Sequence, residues 1–342
     1  MERWDRKQFY ARLAPLDQDQ LAKALWTVYW KGTKEVRQRI EAVLDPKAAS
    51  RQRAASAPTV DPEWTLDEVT EFVALAKSGA YLGGDRRVRP RERTRWRFTL
   101  RRLFKDAAAA LADADPEPGA KAMEQLLDLS RETGEYDYFR SEDPIEAARI
   151  VISDEVEQLW ARLRQHLGVA DFATRAAPQL LHWESAYGWT RRGDGPVAAR
   201  ERPLATVLEP LLPTRDSWVI FGERYLGALE AAAARDLRAR RHGWELDHRR
   251  ERRARDLTFW HTMLVEHLHG GDGEELLDRL VAASAIAGPD ALLMRAELAR
   301  LRGHLVEARQ IAAQLVAEAP RNQRFAGFAK EIGTASAEAP DQ

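Results

Sequence analysis

The 342-residue chain contains no cysteine. Disulfides, zinc–thiolate sites, iron–sulfur clusters and thiol catalysis are therefore excluded. Lysine is scarce too: only nine of the 53 basic residues are Lys. Arginine is spread along the whole chain, so a single Arg cluster has to earn its meaning from context. No apolar run approaches the ~18 residues needed to cross a bilayer. The opening residues, MERWDRKQFYARL, lack the apolar core of a signal peptide. These absences point to a soluble, cytoplasmic protein with no membrane partner. The phosphate-loop, dinucleotide, zinc-protease and serine-hydrolase signatures are missing as well. No cofactor and no metal are expected.

What is present is apolar mass. The chain is 44% hydrophobic with 11 Trp and 10 Phe, enough for a sizeable core, and 31% charged with a net charge of −1. Apolar residues recur at helical spacing almost everywhere, with no sustained alternation and no strand–helix–strand rhythm. The expectation is an all-α protein, either an α-solenoid or an irregular array of helical hairpins.

Residues 1–45 read as three short helices. Asp17 caps the second, which carries Leu21, Ala24, Leu25 and Val28 on one face and Trp26 and Trp30 on another. Thr33 caps a third, with Val36, Ile40, Val43 and Leu44. This segment has more apolar surface than its own helices can cover, so it is expected to dock on the rest of the chain or on a partner. Residues 46–62, rich in Ala, Ser and Pro, read as a linker. A central helical domain follows over 63–190, opened by a capping box at Thr65–Glu68. A second start, Asp143-Pro144-Ile145-Glu146, predicts a helix to about Gly168, then another over 171–187. Residues 188–203 form a Gly-, Pro- and Arg-rich loop. Thr214 opens a long helix to Gly243, and a C-terminal helical domain extends over 204–333 before a disordered tail at 334–342.

Within that last domain, Ala296, Ala308 and Pro320 mark a small residue, a second small residue and a closing proline, with Gly303 at a turn. Residues 289–322 resemble a tetratricopeptide unit on these positions. Arg295 stands where that motif usually has Leu, and Leu292 and Ala299 replace its large aromatics. The resemblance implies helix hairpins stacked into a concave protein-binding surface.

Reactive constellations are hard to find. His261, His267 and His269 have spacings that do not put two imidazoles on one helix face, so they read as ordinary helix histidines. The acidic, aromatic loop 135–143 reads mainly as core aromatics with capping carboxylates, and Trp183 and Trp189 as core or interface anchors. Residues 235–256 hold nine Arg and five acids, which predicts a solvated helix face with pairs such as Glu251–Arg255.

The sharpest feature is 86–105, RRVRPRERTRWRFTLRRLFK, with ten basic residues and one acid. Residues 93–100 alternate as a strand would, but the series Trp96, Leu100, Leu103, Ala107 and Leu111 is helical and longer. The prediction is a helix from about 91. Phe98 then lies stranded among Arg91, Arg95, Arg101, Arg102 and Lys105, with Arg97 beside it. Internal carboxylates, nucleic acid and an acidic protein segment all remain open as partners for that face. Overall the chain reads as a non-enzymatic scaffold or adaptor for a protein partner. The alternative is a nucleic-acid-binding protein that uses this face.

Overall fold

The computed structural model describes residues 6–33, 36–37, 40–41, 44, 60–83, 85–239 and 242–334. Every regular element among them is helical: sixteen α-helices and two short 3-10 turns, with no strand. The fold is all-α. The chain divides into two units, 1–59 and 60–342.

In the first unit, α1 (Arg6–Leu13) precedes α2 (Gln18–Lys31). Asp17 caps α2: its carboxylate accepts from the Gln20 amide at 2.7 Å, and the Gln20 side chain accepts from the Asp17 amide at 3.1 Å. α2 buries none of its residues, and Trp30 is 69% exposed. Trp26 stacks on Tyr29 and on Trp30, each at 5.7 Å. Of the expected third helix, Val36, Arg37, Ile40, Glu41 and Leu44 are helical and the other positions lie outside the described residues. So do 46–59 of the expected linker and 335–342 of the expected tail.

The second unit opens with α3 (Pro62–Lys77). Asp61, not Thr65, is its cap, accepting from the Glu63 and Trp64 amides at 3.1 and 3.2 Å. The Thr65 hydroxyl instead donates to the Asp61 carbonyl at 2.9 Å. Asp61-Pro62 outcompetes the predicted box because Pro at the first position has its φ preset for a helix. The predicted helix from 91 is also interrupted. α4 (Pro90–Arg93) is one turn, and α5 (Trp96–Leu111) begins after a break at Thr94 and Arg95. Arg93 accounts for the break: its Nε donates to the Val88 carbonyl at 2.9 Å and its Nη2 to the Asp85 carbonyl, tying the 85–88 arm back onto α4.

α3, α5 and α6 (Glu117–Glu132) pack on one another. Val69, Phe72, Leu100, Leu103, Met123 and Leu126 meet in their shared core. Phe139, from the loop after α6, stacks on Trp96 at 4.2 Å and on Phe72 at 6.0 Å. α7 (Pro144–Ala148) starts as predicted, with Asp143 accepting from the Glu146 amide at 3.1 Å, but it does not run to 168. Arg149 turns left-handed at φ 54 and a new helix, α8 (Ile152–Trp183), begins. Its first amides, Ile152 and Ser153, donate to the Glu201 carboxylate at 2.6 and 2.9 Å. A carboxylate 49 residues downstream thus caps the helix, which no local pattern shows. At Gly168, φ 73 and ψ −178, the backbone leaves the helical region, so two helical stretches meet there, as predicted, and the second ends at Trp183.

α9 (Leu204–Leu208) and α10 (Arg215–Arg238) return along α8. Thr214 caps α10, which ends at Arg238, short of Gly243. α11 (Gly243–Asp256), α12 (Thr258–Leu268) and α13 (Glu274–Val281) follow. One core cluster runs from Val69 to Leu298 and includes Trp160, Trp183, Trp218 and Trp260. α14 (Pro289–Leu301), α15 (Leu305–Glu318) and α16 (Gln323–Thr334) pack successively around a second cluster that includes Ala296, Ala308, Leu315 and Phe325. Gly303, φ 79, makes the turn between α14 and α15. Among the described residues no helix is long and apolar enough to cross a membrane.

Candidate nucleic-acid interface

α5 is amphipathic at a period of 3.6. Trp96, Leu100, Leu103, Ala107 and Leu111 point into the core. Phe98 points out and is 53% exposed. The Arg97 guanidinium lies 5.0 Å from its ring centroid and that of Arg101 lies 6.0 Å away, both within cation–π range. No side chain caps the start of α5 and no acid occupies its first turn, so Arg95 and Arg97 sit at the positive end of the macrodipole without a local counter-charge.

The predicted arginine ring separates into three groups. Arg102 is neutralised internally: it donates to Glu68 on α3 at 2.5 and 3.0 Å and to Asp106 at 2.8 Å. Arg91 lies on α4, across the break, and so leaves the helix that holds Phe98. Arg95, Arg97, Arg101 and Lys105 stay on α5 or its cap, and among the described residues none of them, nor Arg91, pairs with a carboxylate. Arg101 Nε donates to the Ala148 carbonyl at 2.8 Å, which docks α5 against the end of α7.

That contact brings in a residue the sequence reading missed. Arg149, next to Ala148, lines a hollow of about 860 Å3 together with Arg97, Phe98 and Arg101. It also lines a second hollow of about 320 Å3 on the other side of Arg101, with Lys105 and Glu155. Arg149 has no carboxylate partner among the described residues. Its left-handed backbone costs on the order of 1 kcal/mol for a residue with a side chain. Its helix-ending position, where Gly is usual, was the one signal available. Of the carboxylates lining the larger hollow, Asp194 has no hydrogen bond or ion pair among the described residues, and the other three are engaged. Glu142 pairs with Arg192, Asp143 caps α7, and Glu146 accepts from the Val197 amide at 3.2 Å. In the smaller hollow, burial, with Asp154 nearby, pushes the Glu155 carboxyl up to about 7.

The other residues weighed from sequence are structural. The His261 Nε2 lies 2.7 Å from the Tyr225 hydroxyl in the core, and burial drops its pKa to about 3, keeping it neutral. His267 stacks on Trp218 at 3.9 Å. Trp183 donates to Asp128 at 2.7 Å. The predicted Glu251–Arg255 pair does not form: Glu251 lies against Gly288, and the Arg255 guanidinium is 4.9 Å from the Tyr187 ring.

The α5 face therefore offers one open aromatic ring between unpaired guanidinium groups. This is the chemistry of a base-and-phosphate platform. No protein-family model, curated protein or solved structure matches the chain.

Proposed function

We propose that this is a non-enzymatic binding protein that holds single-stranded nucleic acid on the α5 face. The observation that carries the reading is Phe98, half exposed, with Arg97 and Arg101 beside its ring and neither paired to a carboxylate. A base stacks on Phe98, and phosphates take Arg97, Arg101 and Arg149. The cysteine-free composition fits a cytoplasmic setting. The test is fluorescence anisotropy of labelled single-stranded oligonucleotides across a salt series. Wild type binds at ~50 mM salt and loses affinity steeply as salt rises, and Arg97→Glu/Arg101→Glu does not bind. Absence of wild-type binding at low salt, or equal binding by the variant, overturns the reading. Preference for an acidic, aromatic-bearing peptide over the oligonucleotide transfers the face to a protein partner.

A second reading, a scaffold or adaptor for a protein partner, rests on α2. Its Leu21, Leu25, Trp26, Val28 and Trp30 are all exposed, the pattern of a helix that seats in an apolar groove. The successive packing of α14, α15 and α16 supports the tetratricopeptide-like interpretation of residues 289–322 within this reading. Here Trp26→Ala/Trp30→Ala loses a co-purifying partner that Phe98→Ala retains.

A further inference from the structure

The second basic run walls a cavity of its own. A space of about 620 Å3 opens between the end of α6, the second half of α8, the end of α10 and α11. Most charges around it are already matched. Arg253 donates to Asp236 at 2.5 Å and Arg252 to Glu135 at 2.9 Å. Glu132 accepts from Lys77 at 2.7 Å and from the Tyr138 hydroxyl at 2.8 Å. Asp256 and Glu184 accept from the Ala186 and Ser185 amides, each at 3.1 Å.

Arg131 is different. It lines the cavity, its Nε is buried without a partner, and no carboxylate pairs with it among the described residues. It sits in the last turn of α6, where the macrodipole favours a cation. Burial, and then the nearby Arg252, nevertheless lower its pKa. Glu135, Asp256 and Glu184 act on this half-buried cation but offset its desolvation only in part, and a bound anion would remove the rest of that cost. Arg235, exposed on α10, faces the same cavity and also lacks a carboxylate. Trp244, at the start of α11, lines it and is 70% exposed.

We propose that this cavity is a binding site for a phosphorylated small molecule with a planar ring, the class to which nucleotides belong. Its phosphate meets Arg131 and Arg235, and its ring lies against Trp244. Two unpaired guanidiniums on different helices call for more than one negative charge, which a phosphate supplies and a single carboxylate does not. The volume falls within the ~300–1,000 Å3 of small-ligand pockets. Glu245 is the wall carboxylate with no hydrogen bond or ion pair among the described residues, and it opposes the ligand's charge. The site is separate from the Phe98 face and does not rest on the function proposed for it.

The test is isothermal titration of the full chain with AMP, ATP and pyrophosphate. Saturable binding of AMP and ATP is expected. Arg235→Ala weakens all three, AMP by about tenfold. Trp244→Ala weakens AMP but spares pyrophosphate, and Glu245→Gln tightens every probe. Arg131→Met abolishes binding and raises the melting temperature of the unliganded protein, because a cation whose desolvation is only partly offset is gone. A merely structural Arg131 would lower that temperature instead. If Arg131→Met does not fold, Arg235→Ala and Glu245→Gln still decide. No saturable heat at millimolar probe, or affinities unchanged in Arg235→Ala and Glu245→Gln, overturns the proposal. Loss of AMP binding in Phe98→Ala also overturns it, since the ligand would then sit on α5.

Discussion

Residues 86–105 and 235–256 look alike as strings, both dense in arginine, yet the fold pairs a larger share of the second. In the first, one arginine of the exposed face, Arg102, reaches carboxylates, and Arg95, Arg97 and Arg101 reach none. In the second, Arg252 and Arg253 are matched to Glu135 and Asp236 and become part of the scaffold. Within that run Arg235 and Arg255 keep no carboxylate partner among the described residues, and beside it neither does Arg131, which lies far away in sequence. Arginine density is therefore a poor guide to a binding face. What counts is which guanidiniums the tertiary structure leaves without a counter-charge.

The largest expected effect breaks the comparison on its structural side. Arg253 and Asp236 are both mostly buried and lie 2.5 Å apart. Arg253→Met leaves Asp236 with only the distant Arg249 at 3.7 Å, and is expected to destabilise by about 3 kcal/mol in urea unfolding. Arg97→Ala, on the unmatched side, is expected to stay within about 0.5 kcal/mol of wild type. Equal losses in both variants would erase the distinction.

Phe98→Ala is next. It should weaken oligonucleotide binding by about 1–3 kcal/mol, the usual worth of a stacked base, with an unchanged melting curve. Arg149→Gly sharpens the same contrast. Releasing the left-handed backbone is expected to stabilise the protein by roughly 1 kcal/mol while weakening oligonucleotide binding, so stability and binding move in opposite directions. A loss of stability would mean that Arg149 is structural.

The smallest effect concerns pH. Burial pushes the Glu184 carboxyl from its ordinary 4.5 up to about 7. A carboxyl with a raised folded pKa contributes stability that is fully present below 4.5 and is lost as pH rises to about 7. Glu184→Gln should therefore flatten part of the wild-type decline in unfolding free energy across that window. Glu155, Glu201 and Glu297, raised in the same direction by burial, keep the remainder. Parallel curves for the two proteins would show that Glu184 is ionised throughout.

Much of the architecture was legible in the sequence. The helical class follows from apolar spacing, and the starts at Asp17, Asp143 and Thr214 appear where their capping chemistry put them. The errors fell both where a distant residue decides and where a nearby side chain competes, as Asp61 does with Thr65. The Asp143 helix stops at Ala148 because a second helix begins at Ile152, capped by Glu201. The predicted helix at 91 breaks where Arg93 folds the 85–88 arm back on itself.

The sequence by itself determined that Trp96, Leu100 and Leu103 face inward and Phe98 outward. The reason is that side-chain direction on a helix is set by the local repeat of 3.6 residues. Only the tertiary structure decided what surrounds Phe98. Arg102 was drawn off to Glu68, 34 positions earlier in the chain, and Arg149 was brought in beside Arg101 through the Ala148 carbonyl. Likewise Arg252 pairs with Glu135, 117 residues away, besides Asp256 one turn on. Charge pairing depends on distance in space, and no local periodicity encodes which carboxylate the fold will deliver.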